Sequence, residues 1–236
     1  MRQMFPYLNE NTRQWAQVNQ EDLSRFMLAN CQQKRKYKRH EEIKVNAPYS
    51  VILYVAAGQI KAYVYNEQGS EKLLYYADQD NVVLGNYCHE TNICLRIVAA
   101  SDCEVYFLET KTAIAALLKR EGGLDRLIDG IDSRISAFVY NLLESAGNKQ
   151  KGQICQLIYS LAMRSNRQID GKIFLKKFPT RTDIALFIGT HKSNVIKYLK
   201  ELEQAGVIEK HEKGYLINDM QKLERLIMDE YKTLPS

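Results

Sequence analysis

The stretch 180–206, TRTDIALFIGTHKSNVIKYLKELEQAG, restricts the fold more than any other part of the chain, because it spaces two short helices around one tight turn. Thr180 followed three residues later by Asp183 is an N-cap signature, and Ile184, Leu186, Phe187 and Ile188 supply the buried side of a first helix. Gly189 ends it, since a glycine takes positive φ and reverses the chain; Thr190 then caps a second helix whose apolar side is Val195, Leu199 and Leu202. The other face carries His191, Lys192, Ser193, Asn194, Lys197 and Lys200. Short donors and cations near the front of such a helix suit phosphates and base edges in a major groove. A plain helical hairpin with a solvated charged face explains the same residues. Against it, Val207, Ile208, Glu209 and Lys210 face Tyr215, Leu216 and Ile217 across His211, Glu212, Lys213 and Gly214, which reads as a hairpin, or wing.

Charge is distributed to match. Residues 147–236 hold 16 Lys+Arg against 10 Asp+Glu, so the net +5 of the 236-residue chain leaves −1 for residues 1–146. A polyanion-binding unit at the C-terminal end is expected to hold the positive excess. No apolar run approaches the roughly 20 residues of a membrane span, and the polar start MRQMFPYLNENTRQW lacks a signal-peptide core, so a cytoplasmic protein with no membrane partner is expected. The five cysteines, Cys31, Cys88, Cys94, Cys103 and Cys155, are scattered without a CxxC pair, which argues against a zinc site or a disulfide framework. Their redox activity stays open.

From residue 42 to 108 the pattern is that of short strands: SVILYV at 50–55, alternation of Ile60, Ala62 and Val64 after Gly58, a turn at 66–69, then KLLYYA, NVVL and runs at 93–98 and 104–108. This spacing suggests a sandwich or barrel-like roll. A helix is expected at 112–120 and a longer one at about 124–145. On the second, Leu124, Ile128, Ile131, Ile135, Phe138 and Leu142 recur at steps of 4, 3, 4, 3 and 4. Such a seam packs on a twin in a homodimer, or on the chain's own roll. A polar hinge at 146–152 separates domain 1–146 from domain 147–236, which continues with helices at 153–164 and 220–231 and a strand at 173–175.

A β-roll, a long helix, a hinge and a winged helix-turn-helix, in this order, resemble the cyclic-AMP-receptor and fumarate-nitrate-reduction (CRP/FNR) superfamily of transcription regulators. The marks are LYVAAGQIKAYVYNEQGSEKLLYYA at 53–77 with Gly58 and Gly69 at the turn positions, VVLG ending at Gly85, and the 180–208 segment. GSEKLLYYA and VVLGNY look most like the halorespiration regulators that sense chlorinated phenolic acids. The resemblance implies an α+β fold: an N-terminal β-roll of the cyclic-nucleotide-binding type (a double-stranded β-helix or jelly roll), a dimerisation helix and a C-terminal winged helix-turn-helix.

It further implies a homodimer that binds a palindromic double-stranded DNA operator, works with RNA polymerase and is gated by a small-molecule effector. Cyclic AMP does not fit, because neither a Glu after Gly85 nor an Arg-Ser pair follows, although Arg96 is near. One cysteine in the first 80 residues does not fit an iron-sulfur cluster, and Cys88-His89 stands out of the register expected for haem. No cofactor is therefore expected. By the resemblance, Tyr76, Asn86, Tyr87, Arg96 and Arg134 surround an organic effector. Asn86 replaces a cassette lysine, Arg134 a helix lysine, and Ile131 a helix tyrosine. Alternatively Tyr76 is core and Arg134 pairs across the dimer. For DNA, the resemblance assigns phosphates to Thr180, Arg181, His191 and Asn194, and base edges to Lys192, Ser193 and Lys197. The rival readings are a ligand-binding roll whose tail only dimerises, a haem or redox sensor of this fold, or an enzyme. His40, His89, His191 and His211 fall in unrelated segments, and no triad, carboxylate pair or phosphate loop supports an enzyme.

Overall fold

The computed structural model describes residues 20–45, 50–79, 81–84, 93–119, 121–122, 125, 139, 149–163, 165–176, 178–212 and 214–229. They belong to two compact units, Met1–Ile135 and Ser136–Ser236. The proposed dimer seam (Leu124, Ile128, Ile131, Ile135, Phe138, Leu142) and Asn86, Tyr87 and Arg134 lie outside the described residues. Within 124–145, Asp125 and Val139 are described, and both are helical.

The first unit contains α1 (Gln20–Asn30), β1 (Gln33–Tyr37), β2 (Val51–Ala57), β3 (Gln59–Asn66), β4 (Glu71–Asp78), β5 (Val82–Leu84), β6 (Ile93–Ala99), β7 (Cys103–Glu109) and α2 (Thr110–Leu117). The strands form two antiparallel sheets, β1-β7-β2-β5 and β4-β3-β6. β2 explains the layering. Its first five residues are all buried. Val51, Leu53 and Val55 enter a core shared with Ile60 of β3, Ala77 of β4, Ile97 of β6 and Val105 of β7. Ile52 and Tyr54, on the opposite face, join Phe26 and Met27 of α1, Tyr106 and Leu108 of β7 and Ala113 of α2. A strand covered on both faces reads as an uninterrupted apolar run, as VILYV does.

Two turns hold the strands in register. At 66–69 the Asn66 side-chain oxygen accepts from the backbone N–H of Gln68 at 3.1 Å and of Ser70 at 2.9 Å, and Gly69 sits at φ +80°. This is an Asx turn closed by a left-handed glycine. Gly58 sits at φ +82°, and a Cβ there would strike the carbonyl oxygen of Asp102. Glycine is thus required twice over at 58 and only conformationally at 69.

The sequence reading starts the roll at residue 42, but β1 and α1 precede it. β1 pairs with β7 from Gln33↔Phe107 to Tyr37↔Cys103. Its cations hide the strand from a hydropathy pattern, because four of its five residues are exposed at the sheet edge. Cys103 lies in the core and burial pushes its thiol up to about 11, whereas Cys94 is exposed.

In urea unfolding, Gly58→Ala is expected to lower stability by more than about 2 kcal/mol, because left-handed strain of about 1–2 kcal/mol adds to a backbone collision. Gly69→Ala, with open space around the added carbon, is expected to lose only about 1–2 kcal/mol. Equal losses would refute the close approach of Gly58 to Asp102.

Candidate nucleic-acid interface

The second unit runs α3 (Gln150–Met163), β8 (Gln168–Ile169), β9 (Lys172–Leu175), α4 (Arg181–Ile188), α5 (Lys192–Gln204), β10 (Ile208–His211), β11 (Gly214–Ile217) and α6 (Met220–Asp229). Its sheet has the order β10-β11-β9-β8, so the wing hairpin is extended by β9 rather than standing alone. A Cβ on Gly214 would meet the Leu175 carbonyl oxygen, so the start of β11 lies hard against the end of β9.

The Thr180 hydroxyl accepts from the Asp183 backbone N–H at 3.1 Å and donates to the Asp183 carboxylate at 2.7 Å. The first bond is the N-cap its spacing predicts, and the second holds the carboxylate of buried Asp183 beside the positive end of α4. Gly189 ends α4 in the left-handed conformation, φ +82°, and the N–H of Thr190 returns to the Ala185 carbonyl at 3.0 Å. α5 closes the same way: Val207 N–H reaches Leu202 O and Gly206 N–H reaches Glu203 O, both at 3.0 Å, with Gly206 at φ +68°. These paired bonds form a Schellman motif.

The cap of α5 differs from the one its sequence suggests. His191, not Thr190, occupies the N-cap position, and it makes no side-chain cap bond. The Thr190 hydroxyl is engaged elsewhere. It donates to the Gln150 side-chain oxygen at 2.6 Å, while the Asn194 amide donates to both, at 3.1 Å each. The hinge assigned to 146–152 also shortens. Gln150, Lys151 and Gly152 form the first turn of α3, with Gly152 buried, Gln150 bonded as above and Lys151 paired with Glu201 of α5 at 3.0 Å. These bonds hold the start of α3 in helical form.

Packing sets the orientation of α5. Val195, Leu199 and Leu202 are at most 2% exposed. Burying a Val or Leu side chain contributes about 1.5–3 kcal/mol, and an exposed ion pair about 1 or less, so the apolar stripe decides which face looks out. His191, Lys192, Ser193, Lys197 and Lys200 look out and are exposed; Asn194 is half-buried in the turn network. Arg181 is exposed at the front of α4, and its guanidinium lies 3.5 Å from the Tyr215 hydroxyl, which donates to Glu203 at 3.1 Å. Burial, then Glu203, raises the Tyr215 phenol above its ordinary range, keeping it a neutral donor. The Lys197 ammonium lies 5.7 Å from the Tyr198 ring.

The outward face also contains Ile196, 45% exposed, which the sequence reading passed over. Its signal was present: one residue past Val195, it stands about 100° off the buried stripe and beside Ser193, Lys197 and Lys200. An exposed isoleucine among cations suits the methyl group of thymine. In the wing, Lys172 pairs with Glu209 at 3.0 Å and holds that carboxyl below its ordinary range, while Lys210 remains exposed.

Of the proposed effector residues, two are described. Tyr76 lies on β4 with the Lys61 ammonium 5.7 Å from its ring; Arg96 of β6 pairs with Glu71 and lies 4.8 Å from the Tyr63 ring centroid. Neither lines the open cavity of about 670 Å³ between α1 and α2. Among the described residues no group of three or more His, Cys, Asp or Glu is placed to hold a metal, and no helix is long and apolar enough to cross a membrane.

Residues 152–226 match the Crp-like helix-turn-helix domain family. No curated protein sequence matches the chain. Solved structures do. The OCPA-complexed halorespiration regulator CprK superposes with a TM-score of 0.70 at 16% identity, covering 87% of this chain and 93% of its own. CooA from Carboxydothermus hydrogenoformans gives 0.71 at 15%, covering 83% and 87%. A CRP/FNR-family transcriptional regulator from Thermus thermophilus gives 0.63 at 16%, covering 84% and 100%. The chain has the fold of these regulators, which are not enzymes, and carries their helix-turn-helix.

Thr180→Ala is expected to lower the stability of the C-terminal unit by about 1 kcal/mol. Hydrogen exchange at the front of α4 measures it directly. Unchanged protection there would remove Thr180 as the cap.

Proposed function

We propose that this chain, built on the CRP/FNR fold and ending in a Crp-like helix-turn-helix, is a homodimeric transcription regulator that reads a two-fold duplex DNA operator and is gated by a small organic effector. The observation that carries the DNA-binding part is the outward face of α5. Val195, Leu199 and Leu202 lock one side inward, which leaves Lys192, Ser193, Ile196 and Lys197 presented together beyond a helix N-terminus aimed at solvent. Thr180 and Arg181 at the front of α4 and His191 at the front of α5 supply a phosphate clamp on either side. Lys192, Ser193 and Lys197 then address base edges. Serine and lysine select less sharply than a Glu on cytosine or an Arg forked onto guanine, so Ile196 on a thymine methyl is left with a larger share of the discrimination.

Dimerisation through Leu124, Ile128, Ile131, Ile135, Phe138 and Leu142 is supported by their seam spacing, and recruitment of RNA polymerase by the regulator fold. Gating is supported by the likeness to CprK bound to OCPA. In this chain Tyr76, Asn86, Tyr87, Arg96 and Arg134 are the proposed effector shell, with Arg134 suited to a carboxylate. The Glu71 partner of Arg96 makes that cation a less available anchor.

Selection from random duplexes with the full-length protein is expected to return a site with two half-sites about 34 Å apart, bound less tightly as salt rises. Ile196→Ala is expected to relax preference at a thymine position by about 1 kcal/mol without altering the salt slope. Binding that shows no sequence preference and no salt dependence would sink the reading. For gating, operator affinity is measured with and without aromatic carboxylic acids; identical affinities across the panel remove that ligand class.

A further inference from the structure

We propose that the exposed edge of β1, with the residues that follow it, is a second docking surface for the DNA backbone, separate from the helix-turn-helix. Lys34, Arg35, Lys36, Lys38 and Arg39 place five cations in six positions, and no acidic residue occurs from Gln33 to His40. They stand out in a segment, 1–146, whose balance is −1. β1 is the first strand of the sheet β1-β7-β2-β5, so among the described residues only its β7 side is paired. Lys34, Arg35, Lys36, Lys38, Arg39 and His40 are all exposed.

Their charges are only partly answered. The Lys34 ammonium lies 4.8 Å from the Tyr106 ring and the Arg35 guanidinium 5.5 Å from the Phe107 ring. Such stacking steadies a side chain without neutralising it. Lys38 pairs with Asp102 at 2.8 Å yet keeps 80% of its side chain exposed. The other Asp102 oxygen takes the Arg39 backbone N–H at 3.0 Å, not its guanidinium. Glu41 accepts the Lys38 backbone N–H, and Glu104 stands across from Lys36 in the β1–β7 register. Three carboxylates thus face five cations.

Charged side chains guard a sheet edge against pairing with another chain, and here the charge continues past the strand, to Lys38 and Arg39. A protein partner is disfavoured by composition. Interface cores deplete lysine and are anchored by buried apolar or aromatic side chains, and none of the exposed large hydrophobics of this unit, such as Leu28, Tyr65, Ile114 and Leu118, lies on β1. A phosphate backbone asks only for regularly spaced positive charge. Alternate side chains of an extended strand share a face about 6.6 Å apart, so Lys34 and Lys36 form a row in step with every second phosphate of a DNA strand, whose phosphates are spaced about 3.4 Å along the axis.

The proposal rests on the DNA-binding reading above, and the test separates the two. Full-length Lys36→Gln/Arg39→Gln protein is compared with wild type by titrating a selected duplex, with long flanks and trimmed to the footprint of the helix-turn-helix, over a range of salt. Each phosphate left without its cation flattens the slope of log K against log salt by about 0.9. The variant is expected to flatten it by about 2 on the long duplex, weaken binding evenly across sequences and match wild type on the trimmed one. An unchanged slope on the long duplex overturns the proposal. So does an unchanged slope with abolished binding to poly-glutamate, which assigns the edge to an acidic protein, or with new self-association, which assigns it to edge protection. If wild type binds neither duplex, the DNA-binding reading itself falls.

Discussion

The outward face of α5, proposed above to meet DNA, depends on one left-handed residue. Gly189 lets α4 stop and α5 begin within three residues, and its reversed φ fixes the angle at which the two helices leave the turn. The backbone bonds from Gly189 and Thr190 to Ala185 consume the carbonyl that the helix end would otherwise leave exposed. With the turn set, only one rotation of α5 buries Val195, Leu199 and Leu202 together, and the cationic face follows from that burial rather than from any interaction of its own. The charged residues are free to serve a ligand because they do not hold the helix.

The same turn is where the unit can be addressed from its beginning. Gln150 opens α3, and its side-chain oxygen takes hydrogen bonds from both Thr190 and Asn194, one residue in the turn and one on α5. Lys151 adds an ion pair to Glu201 two turns further along α5. The first turn of α3 is therefore fastened to α5 near its front, at Asn194, and near its end, at Glu201. A hinge reaching to residue 152 would have left slack there. Because 150–152 are helical, a displacement of Gln150 would reach the turn directly through Thr190 and Asn194.

Much of this was legible in the sequence, and the misses share a cause. Thr180, Asp183, Gly189 and the Val195, Leu199, Leu202 stripe act through local rules, capping, left-handed φ and helical period, which a single sequence states directly. Thr190 failed as the cap because its hydroxyl is claimed by Gln150, forty residues earlier, and no local rule carries that information. Gly152 suggested a hinge for the same reason: its burial within α3 depends on partners elsewhere in the unit. β1 was missed because a strand at a sheet edge need not be apolar, and its pairing to β7 spans about seventy residues. Ile196 was absent from the sequence reading because an exposed apolar residue belongs to neither the buried stripe nor the cationic face.

Ile196 also bears on how the interface discriminates. On the proposed reading, in which Lys192, Ser193 and Lys197 address base edges, the hydrogen-bonding groups of α5 tolerate more than one base edge. Tolerance at the polar positions does not make the helix indiscriminate, because the cost of desolvating a misplaced group falls differently on apolar and polar side chains. Lys192 and Lys197 can move along a flexible stem to a neighbouring acceptor or phosphate, so a wrong base is met by rearrangement. Ile196 has no such alternative: its branched side chain is stiff, and opposite a polar base edge it displaces water from groups that then lack a partner. If α5 reads DNA as proposed, the stiff branched side chain of Ile196 is less able than the flexible lysines to accommodate a mismatch, and selectivity there follows rigidity more than charge.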